Sequence, residues 1–449
     1  MLARNTDTQR ENSMTDYNKE LISFLDKSPT AFHAVANIKA RLEAEGYTEL
    51  AASAKWELSE GGKYFVVRND SSIIAFRTPI FDFTGFMISA AHSDSPAFKV
   101  KENPEIVENG YVKLNVEGYG GMLMAPWLDR PLSVAGRIIV KNGNKYEVRL
   151  VNVDRDLLII PNVAIHMNRD ANKNQSWNAQ VDMLPILGSA DEAKGSFMRI
   201  IAESAGVSDS DIISHDLFLY VRDKGKVWGG SEEYISAPHL DDLQCVYGCL
   251  EGFLGANNSI SVPVLAVFDN EETGSLTKQG ADSTFLEDVL KRISLSCSKD
   301  EEGYYRAVSS SFMVSADNAH ALHPNHPEKA DPVNRPAINK GIVIKFNAAQ
   351  HYTTDAVSCA VYRDLCESND IPVQVFTNRS DSRGGSTLGN VSNAHVSLNT
   401  VDIGLAQLAM HSCYETSGAK DTKHLIDAMT IFYSKTFRVD ASGSFELLD

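Results

Sequence analysis

Val262-Pro263-Val264-Leu265-Ala266-Val267-Phe268-Asp269-Asn270-Glu271-Glu272-Thr273-Gly274 joins an unbroken apolar run to a turn that carries two adjacent carboxylates. A continuous, β-branched-rich run bounded by turn-forming residues predicts a strand buried on both faces of a parallel sheet, which points to an α/β fold. In open α/β sheets, ligands gather at the carboxyl ends of such strands. Glu271 and Glu272 leave the strand in different directions, so one can hold a metal ion while the other reaches a water. Taken alone, a Glu-Glu pair is also what an ordinary solvated turn contains. The reading therefore depends on companions elsewhere in the chain.

Two further apolar runs end in similar chemistry. Gly85 to Ala91 leads into His92-Ser93-Asp94-Ser95-Pro96, and Phe312 to Ala316 leads into Asp317-Asn318-Ala319-His320. His-x-Asp is a useful spacing because a ligating histidine donates its other ring N–H to a carboxylate, which fixes the tautomer. His92 would then be the ligand and Asp94 its orienting partner. Ser236-Ala237-Pro238-His239-Leu240-Asp241-Asp242-Leu243 precedes Val246, Leu250 and Phe253 at helical spacing, so Asp241 falls at a helix start. A carboxylate there is equally well an N-cap. In Gln407-Leu408-Ala409-Met410-His411-Ser412, His411 enters a predicted amphipathic helix.

In sequence and in order, these five blocks resemble the aspartyl aminopeptidases, the M18 group of dinuclear zinc exopeptidases. The likeness runs from Asn18 to the C-terminus. It implies a catalytic domain of zinc-exopeptidase type, with a mixed, largely parallel sheet flanked by helices. It also implies that His92 and Asp317 hold one zinc, Glu272 and His411 the other, that Asp241 bridges the two, and that Glu271 is the general base. Cobalt or manganese could replace zinc. Zinc accepts imidazole and carboxylate ligands, in keeping with that set. The likeness further puts Lys345, within Gly341-Ile342-Val343-Ile344-Lys345-Phe346, and Tyr352 where an acidic side chain of the substrate would bind. Without it, Lys345 reads equally as a charge on an edge strand. His320 is a candidate substrate contact. His166, in the polar stretch Asn162 to Asn174, resembles a family histidine that reaches into a neighbouring subunit's site.

The activity expected is removal of N-terminal residues, Asp or Glu in preference, from peptides with a free N-terminus. Preference for neutral residues is the alternative within that class. The same constellation can also serve an amidohydrolase or deacylase of N-acyl compounds, which needs no free amine. A shell protein without turnover is a third class, and its mark would be a missing ligand; here every ligand and the base is present.

The organisation suggests an interrupted catalytic domain, residues 1–99 and 236–449, around a β-rich insertion at 100–235. Helices are predicted over Tyr17 to Leu25 and Ala31 to Ala44, followed by a hairpin turning at Asn69-Asp70. Within the insertion, short alternating runs (Val112 to Val116, Val134 to Val140, Tyr146 to Val153, Leu217 to Val221) surround a hairpin turn at Asn142-Gly143-Asn144 and one helix, Gly195 to Ala205. The resemblance implies that this insertion mediates dimerisation within a larger homo-oligomer, dodecameric in relatives.

The chain has 449 residues, 43% of them hydrophobic, enough for more than one core. A net charge of −17 argues against nucleic acid or anionic membrane as the main partner. No apolar stretch is long enough to span a bilayer. The N-terminal residues lack the apolar segment of a secretory signal, and Met14 is an alternative start to Met1. Cys245-x-x-x-Cys249 on a predicted helix reads as core packing rather than a zinc site, and a reducing cytoplasm is the expected compartment.

Overall fold

The computed structural model describes residues 17–382 and 384–449, so the alternative start at Met14 lies outside the described residues. Its central element is a nine-stranded sheet in the order Thr48–Glu49, Gly62–Arg68, Ser72–Thr78, Val262–Phe268, Phe86–His92, Phe312–Ala316, Asn399–Gly404, Ile342–Phe346, Val373–Thr377. Five of its eight pairings are parallel, including the three that join Val262–Phe268, Phe86–His92, Phe312–Ala316 and Asn399–Gly404. The sheet is thus mixed and largely parallel.

The opening stretch behaves as its composition predicts: every residue of Val262–Phe268 is buried. Alternate side chains of a strand face opposite sides of the sheet. Accordingly Leu265 and Val267 join one core, with the helices Ala31–Ala44, Leu240–Gly255, Ala356–Glu367 and Asp421–Ser434, whereas Val264, Ala266 and Phe268 join a second core with Phe285–Ser296 and Glu301–Ser309. Leu240–Gly255 and Asp421–Ser434 approach closely because Gly248 and Gly252 lack side chains. A Cβ on Gly252 would lie 2.5 Å from Met429 Cβ and one on Gly248 2.5 Å from Leu425 Cδ2. The predicted hairpin joins Gly62–Arg68 to Ser72–Thr78, and Asn69 and Asp70 take the positive φ values, 59° and 57°, that a tight turn of this hand requires.

The strands between 97 and 221 form a separate six-stranded antiparallel sheet, in the order Lys145–Asn152, Leu132–Asn142, Ile212–Val221, Ala97–Glu108, Tyr111–Tyr119, Ile186–Ser189. Its core includes Phe98, Trp127 and Phe197, the last from the helix Phe197–Ala205. Lys226–Trp228 and Tyr234–Ala237 leave that sheet and join a five-stranded one with Glu415–Gly418, Ala406–Leu408 and Ala319–His320. All six cysteines are free and buried: Cys245, Cys249, Cys359 and Cys366 in the first core, Cys297 in the second, Cys413 in the third. No helix among the described residues is long and apolar enough to cross a membrane.

One local expectation fails. His411 does not enter a helix; it lies in a turn, with φ 65°, between Ala406–Leu408 and Glu415–Gly418. Those strands pair with each other, Gln407 opposite Ser417. Their backbone groups are therefore satisfied in a hairpin, and a helix would break that ladder.

Candidate metal centre and active site

Strand register brings the chemistry together. His92 ends its strand directly beside Phe268, and Ser315 lies opposite Ala90 on the other side, so the segments following the three strands emerge level. Asn270, at φ 63°, turns the chain into the short helical turn Glu271–Thr273. The five-stranded sheet supplies the other wall: Asp241 follows Tyr234–Ala237, and His411 sits in the turn just described. A cleft of about 300 Å³ results, lined by His92, Asp241, Glu271, Glu272, Asp317, His320, Lys345, Tyr352 and His411. Asp94 lies behind His92. His166 is elsewhere, exposed on the loop after Pro161 beside Met167, which is 82% exposed.

Asp241 occupies the middle. Its Oδ1 is 3.6 Å from His92 Nε2 and its Oδ2 is 3.6 Å from His411 Nε2, while Glu272 Oε2 is 3.4 Å from His411 Nε2. Ligand atoms of His92, Asp241, Asp242 and Asp317 form one compact group, and those of Asp241, Glu272 and His411 another. Asp241 Oδ1 and Glu272 Oε1 are buried with no hydrogen-bond partner among the described residues. Buried carboxylate oxygens are costly unless paired or coordinated, so this donor set fits cations.

The electrostatics point the same way. Burial, with Asp317, Asp94 and Asp241 close by, pushes Glu271 up to about 8 despite the opposing pull of His92. Burial and the Asp241 charge carry Glu272 well above the carboxylate range. Asp317 rises to about 6 through burial and Asp241, held back by Lys345. Burial opposes charge on His92, yet Asp242, Asp241 and Asp94 outweigh it and raise its pKa. A buried cluster of carboxylates that repel one another gains most from added positive charge.

Asp94 does more than orient an imidazole. The His92 Nδ1 atom lies 3.0 Å from the Asp94 backbone oxygen and 3.4 Å from its carboxylate. The carboxylate accepts the N–H groups of Glu271 and Glu272, each at 3.2 Å, and the Tyr119 hydroxyl at 2.6 Å. It thus positions the turn that carries Glu271 and Glu272. Lys345 is not an edge charge: its strand runs between Val373–Thr377 and Asn399–Gly404, and the side chain is buried. Lys345 Nζ is 3.4 Å from Asp317 Oδ2 and 5.4 Å from the Tyr352 ring centre.

Sequence reasoning missed two carboxylates. Glu415 accepts the Asp241 N–H at 2.9 Å and the His411 N–H at 2.8 Å, clamping two candidate ligand residues from one side chain. Asp242 accepts the His92 N–H at 3.1 Å. Both act through backbone amides, which carry no sequence signature; the doubled acid at Asp241-Asp242 was the only hint.

The family model described as aminopeptidase I zinc metalloprotease (M18) matches residues 24–433. A probable M18 family aminopeptidase 2 of Clostridium acetobutylicum is 49% identical over 427 residues, covering 93% of this chain and 99% of that protein. One from Pseudomonas aeruginosa is 40% identical over 430 residues, covering 94% and 99%. Among solved structures, the Ape4 chain of an Ape4–Nbr1 complex superposes with a TM-score of 0.91 at 34% identity, covering 94% of this chain and 86% of that one. A chain of the S. cerevisiae mApe1 dodecamer superposes with a TM-score of 0.82 at 28% identity, covering 94% of this chain and 97% of that one.

Proposed function

The chain belongs to the M18 aminopeptidase family of zinc metalloproteases, and from that premise we propose that it releases N-terminal residues, Asp or Glu in preference, from peptides with a free amine. The observation that carries the two-ion reading is the Asp241 carboxylate, whose two oxygens each face a different histidine. His92 and Asp317 would hold one zinc, Glu272 and His411 the other, with Asp241 between them. Zinc at such a site lowers the pKa of water and polarises a carbonyl.

The chain's own residues do the rest. Glu271, in the cleft but outside the proposed ligand set, takes a proton from the attacking water and returns it to the leaving amine. Asp94 holds the Glu271 amide and thereby the base's position. Lys345 offers a buried cation to an acidic substrate side chain, with Tyr352 and His320 on the same cleft wall. His166, on its exposed loop, would act in the cleft of an adjoining subunit. That role goes with a homo-oligomer, a dodecamer built from dimers through the 100–235 insertion. Exposed Tyr146, Val148 and Leu150 along one strand of the six-stranded sheet, and the dodecamer of the S. cerevisiae relative, support this arrangement. Six unpaired thiols support a cytoplasmic location.

A panel of unblocked aminoacyl substrates, assayed before and after chelation and with zinc, cobalt or manganese restored, tests the reading. Aspartyl and glutamyl substrates should be cleaved faster than leucyl ones, with activity lost on chelation. Equal rates for aspartyl and leucyl substrates would overturn the acidic preference; cleavage of N-acylated analogues without need of a free amine would move the protein to the deacylases.

A further inference from the structure

Behind the catalytic turn lies a second cavity, of about 380 Å³, separate from the cleft and larger than it. Its floor is formed where two central strands end, at Asp94 and Asp269, which are 3% and 5% exposed. The facing wall is the six-stranded sheet, where Lys99 and Arg137, on the strands either side of the one bearing Asp216, reach its single carboxylate at 2.8 and 3.0 Å. Arg137 also lies 3.6 Å from Asp70, an exposed side chain outside the lining. Lys278 stands at the rim with no carboxylate in ion-pair range among the described residues. The sheet wall therefore carries two cations against one carboxylate, the floor two carboxylates, and Lys278 adds a third cation at the rim. Phe32, Phe218 and Tyr119 supply apolar surface between them.

A ligand held here needs opposite charges at its two ends and an apolar body of modest size. Pockets of this volume suit small molecules. We propose that the cavity is a regulatory site for a free α-amino acid with an apolar side chain, a member of the enzyme's own product class, its ammonium toward Asp269 and Asp94 and its carboxylate toward Lys278 and Lys99. The inference rests on family membership as an aminopeptidase, and not on the acidic preference or the number of ions.

The cavity shares its wall with the catalytic machinery. Asp269 accepts the Asn270 N–H at 2.7 Å, Asn270 Nδ2 donates to the Tyr119 hydroxyl at 2.8 Å, and that hydroxyl donates to Asp94, which holds the Glu271 and Glu272 amides. An ammonium that engages Asp94 competes with those donors and loosens the turn carrying Glu271. Occupancy consequently lowers kcat.

Free L-leucine titrated into the metal-loaded enzyme is the test, by calorimetry and by kinetics at saturating substrate. Leucine should bind saturably and lower kcat by about twofold or more, while N-acetyl-leucine and leucinamide, each lacking one charge, should bind roughly tenfold more weakly, the cost of one lost charged contact. Ala31→Trp, which fills the cavity from the start of the helix Ala31–Ala44, should abolish this component; Phe218→Trp provides a second filling variant should the first fail to fold. Lys278→Glu should weaken leucine binding without altering turnover in its absence. The proposal falls if leucine does not bind, if its inhibition is purely competitive, if both filling variants respond as the parent does, or if the singly charged analogues bind equally well. None of these readouts depends on which N-terminal residue is preferred, so failure of the acidic-preference reading would leave the result intact.

Discussion

Along Phe86–His92, Val262–Phe268 and Phe312–Ala316, the middles and the carboxyl ends follow opposite rules. The middles are buried, apolar apart from Ser89 and Ser315, and alternate between two cores. At the ends, Asp269 directly follows Phe268 and Asp317 directly follows Ala316, and with Glu271 and Glu272 they form a group of buried carboxylates whose pKa values are raised. The middles supply stability, and the ends concentrate repulsion that only cations relieve. Stability and activity should therefore fail separately.

That separation can be broken at either place. Glu271→Gln should lower kcat by roughly 10²–10⁴-fold, the range of a general base, with bound metal (elemental analysis) and melting temperature unchanged. A variant that turns over normally, or that loses metal, would mean the proton is moved by another group. Glu415→Gln should weaken metal binding by about 10- to 100-fold, as loss of a supporting carboxylate does, and excess zinc should restore activity. If zinc does not rescue it, the clamp on Asp241 and His411 is not what Glu415 supplies. Lys345→Met should reduce the preference for aspartyl over leucyl substrates by about tenfold, read from the ratio of kcat/KM values. An unchanged ratio would leave Lys345 as the partner of Asp317 alone. In the core, Gly252→Ala forces a Cβ against Met429 and should cost about 1–3 kcal/mol in chemical denaturation, with kcat per folded molecule intact. A loss of kcat there would show that helix packing sets the Asp241 position after all.

Much of this contrast was legible in the residues. The apolar runs announce strands because burial on both faces favours apolar residues, and His92, Asp241, Glu272 and Asp317 each sit within a few residues of such a run or of a helix start. Legibility ends where the signal is a backbone group or a distant pairing. The sequence around His411 suggests a helix because the three-residue strand Ala406–Leu408 gives too few alternations to recognise, and its pairing with Glu415–Gly418 leaves no local pattern. Lys345 could not be told from an edge charge, since strand order across the sheet depends on contacts far apart in the chain. Asp94 was assigned to His92, but its wider role needed the geometry of Tyr119 and the Glu271 amide.

The burial of every cysteine gives each core its own chemical reporter. Burial pushes Cys249, Cys366 and Cys413 up to about 12 and Cys297 to about 11, so the native thiols are protonated and shielded. A maleimide or iodoacetamide can then react only when the surrounding core opens, and peptide mapping of the label separates Cys297 from Cys413 and from Cys245, Cys249, Cys359 and Cys366. The order in which those adducts accumulate would time the loosening of three parts of one chain without any engineered cysteine.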